Sequence, residues 1–176
     1  MSASSSFIDR SHLVLKQSGF RVTTPRVRVA QALNTQKKHK PFTVKEIFEV
    51  VSQDESKPIE FSTVYRIVDT CAKLGLIHPT PATGQFVVCE GGDSKPSTLH
   101  VLYFCKNCDR VSEELIEGRQ GQVILSSLDR YSPNFQSDRA VIDIFGDCRK
   151  CKGSRHPSSW RRRVGSRHRW LWCKEI

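Results

Sequence analysis

Nothing in these 176 residues approaches a run of about 18 consecutive apolar side chains, so no segment is fit to cross a bilayer as a helix. The opening Met1 to Ser6 lacks the basic stretch and apolar core of a secretory leader, and the expected location is therefore cytoplasmic. Catalytic signatures are missing too: there is no Walker loop, no strand-linked glycine fingerprint, no Gly-x-Ser-x-Gly elbow and no His-Glu-x-x-His helix. No His-x-Glu step precedes a cysteine pair, as a zinc deaminase requires, and neither pair opens a helix as in a thiol oxidoreductase. These absences favour a binding protein over an enzyme.

Acidic residues are nearly absent from one end. Residues 148–176 hold 10 Lys and Arg against 1 acidic residue, net +9. Residues 1–89 hold 12 against 7, net +5, while residues 90–147 hold 6 against 10, net −4. Most of the overall +10 is thus in the tail, and the rest describes a basic module joined to an acidic one. That distribution suggests a DNA-facing first half and a second half that need not touch DNA.

What is present begins with cysteine. Of seven, four form two pairs with two-residue spacing, Cys105 with Cys108 and Cys148 with Cys151, and 39 residues lie between the pairs. Two short knuckles that each offer two thiolates describe a closed tetrahedral zinc site with no open position for water or substrate, which makes it structural rather than catalytic. A rubredoxin-like iron centre uses similar spacing, but nothing else in the chain suggests redox work. Metal binding in a reducing compartment suits this pattern better than disulfides.

The first half carries four helix patterns. Phe7 to Ser18 stops at Gly19, Thr24 with Pro25 caps a second helix, and Thr43 to Glu46 is a capping box that opens a third. In that third helix Val44, Ile47, Phe48 and Val51 share one face. The fourth is predicted from Ser62 or Thr63, capped by a hydroxyl, to Leu74, with Val64, Ile67, Val68, Cys71 and Leu74 inward and Tyr65, Arg66, Asp69 and Lys73 outward. A hairpin follows, out along Leu76 to His78 and back along Gln85 to Cys89. This order is that of a winged helix, in which the last helix enters the major groove. Strands are predicted at His100–Phe104, Val111–Ile116 and Ala140–Phe145, with a helix over Gln120–Tyr131.

The fold class is therefore α+β: an N-terminal winged-helix DNA-binding domain over residues 1–89, a hinge at 90–98, a small α/β dimerisation domain with a four-cysteine structural zinc site over 99–151, and a basic disordered tail at 152–176. The second domain is small enough to need both its zinc and a partner subunit.

A second group of potential ligands surrounds the hinge: His78, Cys89, His100 and Glu113. Each alone has an ordinary explanation as a packed or solvated side chain. Together they supply one thiolate, two imidazoles and one carboxylate, a set that binds zinc tetrahedrally and neutralises it. Tyr65 and Arg66 are either a solvated face or the residues that contact base edges and phosphates, with Ser62, Thr63, Arg21, Arg26 and Arg28 holding the backbone.

The segments Gly19-Phe20-Arg21-Val22-Thr23-Thr24-Pro25-Arg26, Ser62-Thr63-Val64-Tyr65-Arg66 and Leu74-Gly75-Leu76-Ile77, followed by the two cysteine pairs, resemble the ferric uptake regulator family of metal-responsive repressors. The match runs over about residues 10–151, and the zinc uptake regulators are the members most similar. Their sensing site implies regulatory roles for His78, Cys89, His100 and Glu113. Iron-responsive relatives have a His-rich run before the first pair, whereas here Pro96-Ser97-Thr98-Leu99-His100 has one histidine. The tail beyond Cys151 matches nothing expected of the family. The resemblance implies a homodimer on double-stranded operator DNA that represses zinc-uptake genes, with two zinc ions per subunit, one structural and one regulatory. Alternatives are an iron- or peroxide-responsive member, or a constitutive zinc-stabilised nucleic-acid-binding adaptor whose affinity comes from the tail.

Overall fold

The structure, a computed structural model, describes residues 6–36, 40–54, 56–80, 83–91, 98–108, 110–137 and 139–152, without the side chain of Arg139. Most of the expected hinge, residues 92–97, and the tail from residue 153 onward lie outside the described residues.

Four helices come first: α1 Phe7–Gln17, α2 Thr24–Thr35, α3 Val44–Val51 and α4 Phe61–Lys73. The capping box of α3 forms as its sequence dictates. Thr43 N–H donates to Glu46 Oε2 at 2.6 Å while Glu46 N–H donates to Thr43 Oγ1 at 3.2 Å, satisfying two amides that a helix start leaves without partners. Two other starts differ from expectation. The N-cap of α2 is Thr23, not Thr24, and its side chain makes no capping bond. In α4 the N-cap is Glu60, also without a side-chain cap, so Ser62 and Thr63 fall inside the first turn. Phe61 accounts for the earlier start of α4, since its ring meets Phe48 edge-on at 5.3 Å and fixes the chain one residue upstream.

The apolar stripes predicted for α3 and α4 meet in one core. Ile47 and Val51 pack with Val64, Ile67, Val68 and Cys71, with Val29 and Leu33 of α2, and with Phe42, Leu76 and Ile77. Fully burying a side chain of this size stabilises by about 2 kcal/mol. Burial pushes the Cys71 thiol up to about 12, consistent with an inert core residue.

Gly75, with φ 71°, turns the chain from α4 directly into a hairpin of β1 Ile77–Thr80 and β2 Gln85–Val88, paired antiparallel with Ile77 opposite Val88. A third segment joins it: Phe42 and Phe86 exchange backbone hydrogen bonds at 2.9 and 2.8 Å, and their rings stack at 6.0 Å. The segment just before α3 is thereby tied to the hairpin.

The second sheet has the order β4-β3-β5 and comprises β3 Thr98–Cys105, β4 Val111–Ile116 and β5 Arg139–Gly146. β4 runs antiparallel to β3, and after the helix α5 Gly118–Asp129 the chain returns to lay β5 parallel to β3. The helix lies two residues earlier than predicted at both ends. At its C-terminal end the Asp129 carboxylate accepts from Ser137 N–H at 3.0 Å and Ser137 Oγ–H at 2.6 Å, which fixes the return of the chain. Val87 of the hairpin packs with Leu102, Phe104 and Val111, so the hairpin contributes to the core of the second sheet.

The two threonines before α2 and α3 provide a contrast. Thr43→Ala should lower unfolding free energy by about 1 kcal/mol, whereas Thr23→Ala should change it by less than about 0.5 kcal/mol, both measured by urea denaturation of the metal-loaded protein.

Candidate metal centre

Parallel pairing of β3 with β5 puts the C-terminal ends of both strands side by side, with Cys105 opposite Gly146. One cysteine knuckle leaves each end. Lys106 N–H donates to Gly146 O at 2.8 Å, and Asn107 Nδ2–H donates to Asp147 Oδ1 at 2.9 Å, so the two turns are joined before any metal is considered. The sulfurs of Cys105, Cys108, Cys148 and Cys151 converge within 4.8 Å, with Cys108 Sγ 3.8 Å from Cys148 Sγ. Donors about 2.3 Å from a tetrahedral ion lie about 3.8 Å apart, so the spacing fits one. Burial works to raise the Cys105 thiol, but backbone N–H groups of Cys148, Asn107 and Cys108 point at its sulfur and pull it down to about 6. The donor set is soft and closed, and it suits a structural metal.

The other cluster forms where the hairpin meets the second sheet. His78 lies on β1, Cys89 immediately follows β2, His100 is on β3 and Glu113 on β4. The register explains the last two: Leu102 faces Glu113 and His100 faces Leu115, so His100 and Glu113 are diagonal neighbours on one face. His78 Nε2 lies 3.0 Å from Glu113 Oε1 and 3.1 Å from His100 Nδ1, and His100 Nδ1 lies 2.6 Å from the same carboxylate oxygen. Cys89 Sγ completes the group at 3.4 Å from Glu113 Oε1 and 3.8 Å from His100 Nδ1. All four donor atoms lie within 4.8 Å of one another.

This second cluster is drier than the first. His78, Cys89 and His100 are buried, and the Glu113 side chain is 2% exposed. Burial alone would raise the Glu113 carboxyl, but hydrogen bonds from His100, His78 and the Glu90 amide outweigh it and hold the group far below the usual carboxylate range. The Cys89 thiol goes the other way: burial pushes it up to about 12, and the Glu113 charge adds to the effect. Two imidazoles, a thiol and a carboxylate gathered this closely form a donor set that could hold one metal ion.

All eight residues singled out as ligands from the sequence are thus brought together in the two expected fours. Three further features were missed. Glu90 N–H donates to Glu113 Oε2 at 2.6 Å, Gly91 is buried against Leu115, and Arg10 of α1 donates to the carbonyls of Cys89 and Gly91. Backbone amides and carbonyls carry no residue-type signal, and Arg10 is 79 and 81 residues from its partners.

The residues expected at DNA are placed as follows. Tyr65 is 49% exposed on the outer face of α4, and Arg66 and Ser62 are exposed beside it, while Thr63 is half-buried. Arg21 is exposed. Arg26 lies over the Phe20 ring and donates to Arg21 O at 2.6 Å, and Arg28 donates to Val51 O and Lys57 O at 2.6 and 2.5 Å. The two Arg28 bonds tie α2 to the end of α3 and the loop beyond it, so Arg28 serves the fold.

Residues 17–126 match the ferric uptake regulator family. The chain belongs to that family. It is a metal-responsive transcriptional regulator, not an enzyme. The ferric uptake regulation protein of Legionella pneumophila is 25% identical over 141 residues, which span 78% of this chain and 96% of that protein. Among solved structures, a zinc uptake regulator complexed with zinc and DNA superposes with a TM-score of 0.66 at 21% identity, covering 86% of this chain and 97% of that one. Holo XcZur gives 0.65 at 23% identity, covering 84% and 97%. The Helicobacter pylori ferric uptake regulator, described with three functional metal-binding sites, gives 0.53 at 18% identity, covering 89% and 100%. At these identities the structural likeness establishes the fold. No helix among the described residues is long and apolar enough to cross a membrane.

A protonated thiol at Cys89 has a measurable consequence. Loading the second cluster with a divalent metal should release the Cys89 proton, seen by calorimetry in buffers of different ionisation enthalpy as about one proton more than in Cys89→Ser.

Proposed function

We propose that this regulator senses zinc, with Cys105, Cys108, Cys148 and Cys151 holding a structural ion and His78, Cys89, His100 and Glu113 holding a regulatory one. The observation that carries the reading is the buried Cys89 sulfur in the second cluster. A thiolate beside two imidazoles and a carboxylate selects a borderline-soft, tetrahedral ion, and its two negative charges neutralise a divalent one. An iron-responsive site is better served by harder oxygen and nitrogen donors. Support also comes from the likeness to a regulator described with zinc and DNA.

In this reading residues 1–89 form the DNA-binding domain, residues 90–98 the hinge and residues 99–151 the dimerisation domain. Tyr65 and Arg66 on the outer face of α4 read base edges, with Ser62, Thr63, Arg21 and Arg26 along the phosphates. Arg26 is half-committed to its bond with the Arg21 carbonyl, which keeps its remaining donors near the start of α2. A homodimer is favoured by the apolar surface of the second sheet region, where Val123 is 57% and Tyr131 89% exposed and Val141 and Ile144 lie on the edge strand β5.

The ligands divide between the hairpin and the second sheet, so zinc links the two and fixes the relation of the two α4 helices in the dimer. The ion acts as corepressor because it binds the linked arrangement more tightly than the open one; equal affinity for both would shift nothing. By reciprocity, operator DNA tightens zinc binding by the same factor.

Two experiments test this. A Cys89→Ser dimer should keep its structural zinc, lose at least about 100-fold in affinity for the second ion, and no longer bind operator in response to zinc; unchanged operator affinity removes the sensing role. Truncation after Cys151 should leave specific binding intact with a shallower salt dependence, as expected if the tail only neutralises phosphates. Loss of specificity would transfer recognition from Tyr65 and Arg66 to the tail and favour a constitutive nucleic-acid-binding adaptor.

A further inference from the structure

The turn that carries Cys89 is held from two sides. On one, Glu90 N–H donates to Glu113 Oε2 at 2.6 Å, and Gly91 sits so close to β4 that a Cβ there would meet Leu115 Cδ1 at 2.5 Å. On the other, the Arg10 guanidinium donates through one terminal nitrogen to the Cys89 carbonyl and through the other to the Gly91 carbonyl. The same cation lies 5.3 Å over the ring of Phe7, which packs against the N-terminal core. Three residues of chain are therefore clamped between α1 and the second sheet.

We propose that Arg10 is a positioning residue of the regulatory metal site, holding the Cys89 turn in its ligating conformation and coupling α1 to the metal state of that site. The proposal rests on reading His78, Cys89, His100 and Glu113 as a metal site. Two carbonyls separated by one residue, both turned to the same side, match the planar fork of a guanidinium; an ammonium offers no such pair of parallel donors. An outer partner that fixes a ligand in this way governs affinity although it never touches the ion. Because α1 and the turn share these bonds, whatever orders one orders the other.

The test uses the full-length protein, zinc as the probe and two variants. Arg10→Lys keeps the charge over Phe7 and loses the fork; Arg10→Met keeps the stem and loses every donor. In the unaltered protein, filling the second site should slow amide exchange both in residues 89–91 and in Ser11 to Gln17 of α1. In both variants zinc affinity at the second site should fall about 10- to 100-fold while one tightly held ion per chain remains. At saturating zinc, exchange in 89–91 should still slow in Arg10→Lys, but α1 should no longer respond. Unchanged affinity in both variants, or an α1 response equal to that of the unaltered protein, overturns the role of Arg10 alone. A single ion per chain in the unaltered protein overturns the metal reading of the cluster and this proposal with it.

Discussion

A carboxylate taken out of water must find donors, and Glu113, 2% exposed, finds them from three different parts of the chain. His78 reaches it from the hairpin, His100 from the neighbouring strand and the Glu90 amide from the turn after Cys89. One side chain thereby joins both sheets and the turn between them. With Glu113 in place the hairpin is held at this end of the second sheet, and Val87 is then delivered into the cluster of Leu102, Phe104 and Val111. An apolar residue at the same position would take a shared partner from two buried imidazoles and an amide, a cost of several kcal/mol by the usual penalty for such groups.

The cysteine clasp answers a different constraint. A three-stranded sheet with one helix offers little apolar burial, and a parallel strand pair within it needs a long crossover before any of its hydrogen bonds can form. A metal held by the four cysteines would join the ends of β3 and β5 and close the 39-residue excursion between the knuckles. Such a clasp would secure the platform, while the buried cluster connects that platform to the hairpin.

Legibility in the sequence followed distance along the chain. The α3 capping box and the stripes of α3 and α4 were plain because everything that determines them lies within a few helical turns. The start of α4 is less legible: the hydroxyls of Ser62 and Thr63 suggest a cap, whereas the helix begins at Phe61, whose ring meets Phe48 of the preceding helix, a tertiary contact that no local pattern announces. The four cysteines were visible by spacing alone. The second cluster was legible only as a set of suitable residue types, and its convergence depended on sheet register, which no local pattern encodes. Arg10, one arginine on an amphipathic helix, carried no sign of its partners 79 and 81 residues away.

The short connection between α4 and the hairpin has a mechanical consequence. Leu74, Gly75 and Leu76 are all that separate the last residue of α4 from β1, and the Phe42–Phe86 bridge braces the hairpin against the segment leading into α3. His78 thus sits five residues beyond Lys73, close to the end of a 13-residue helix about 20 Å long whose outer face carries Tyr65 and Arg66. Because α4 is packed with α2 and α3 in one core, a load applied at His78 is borne by the helical core as a whole rather than by α4 alone.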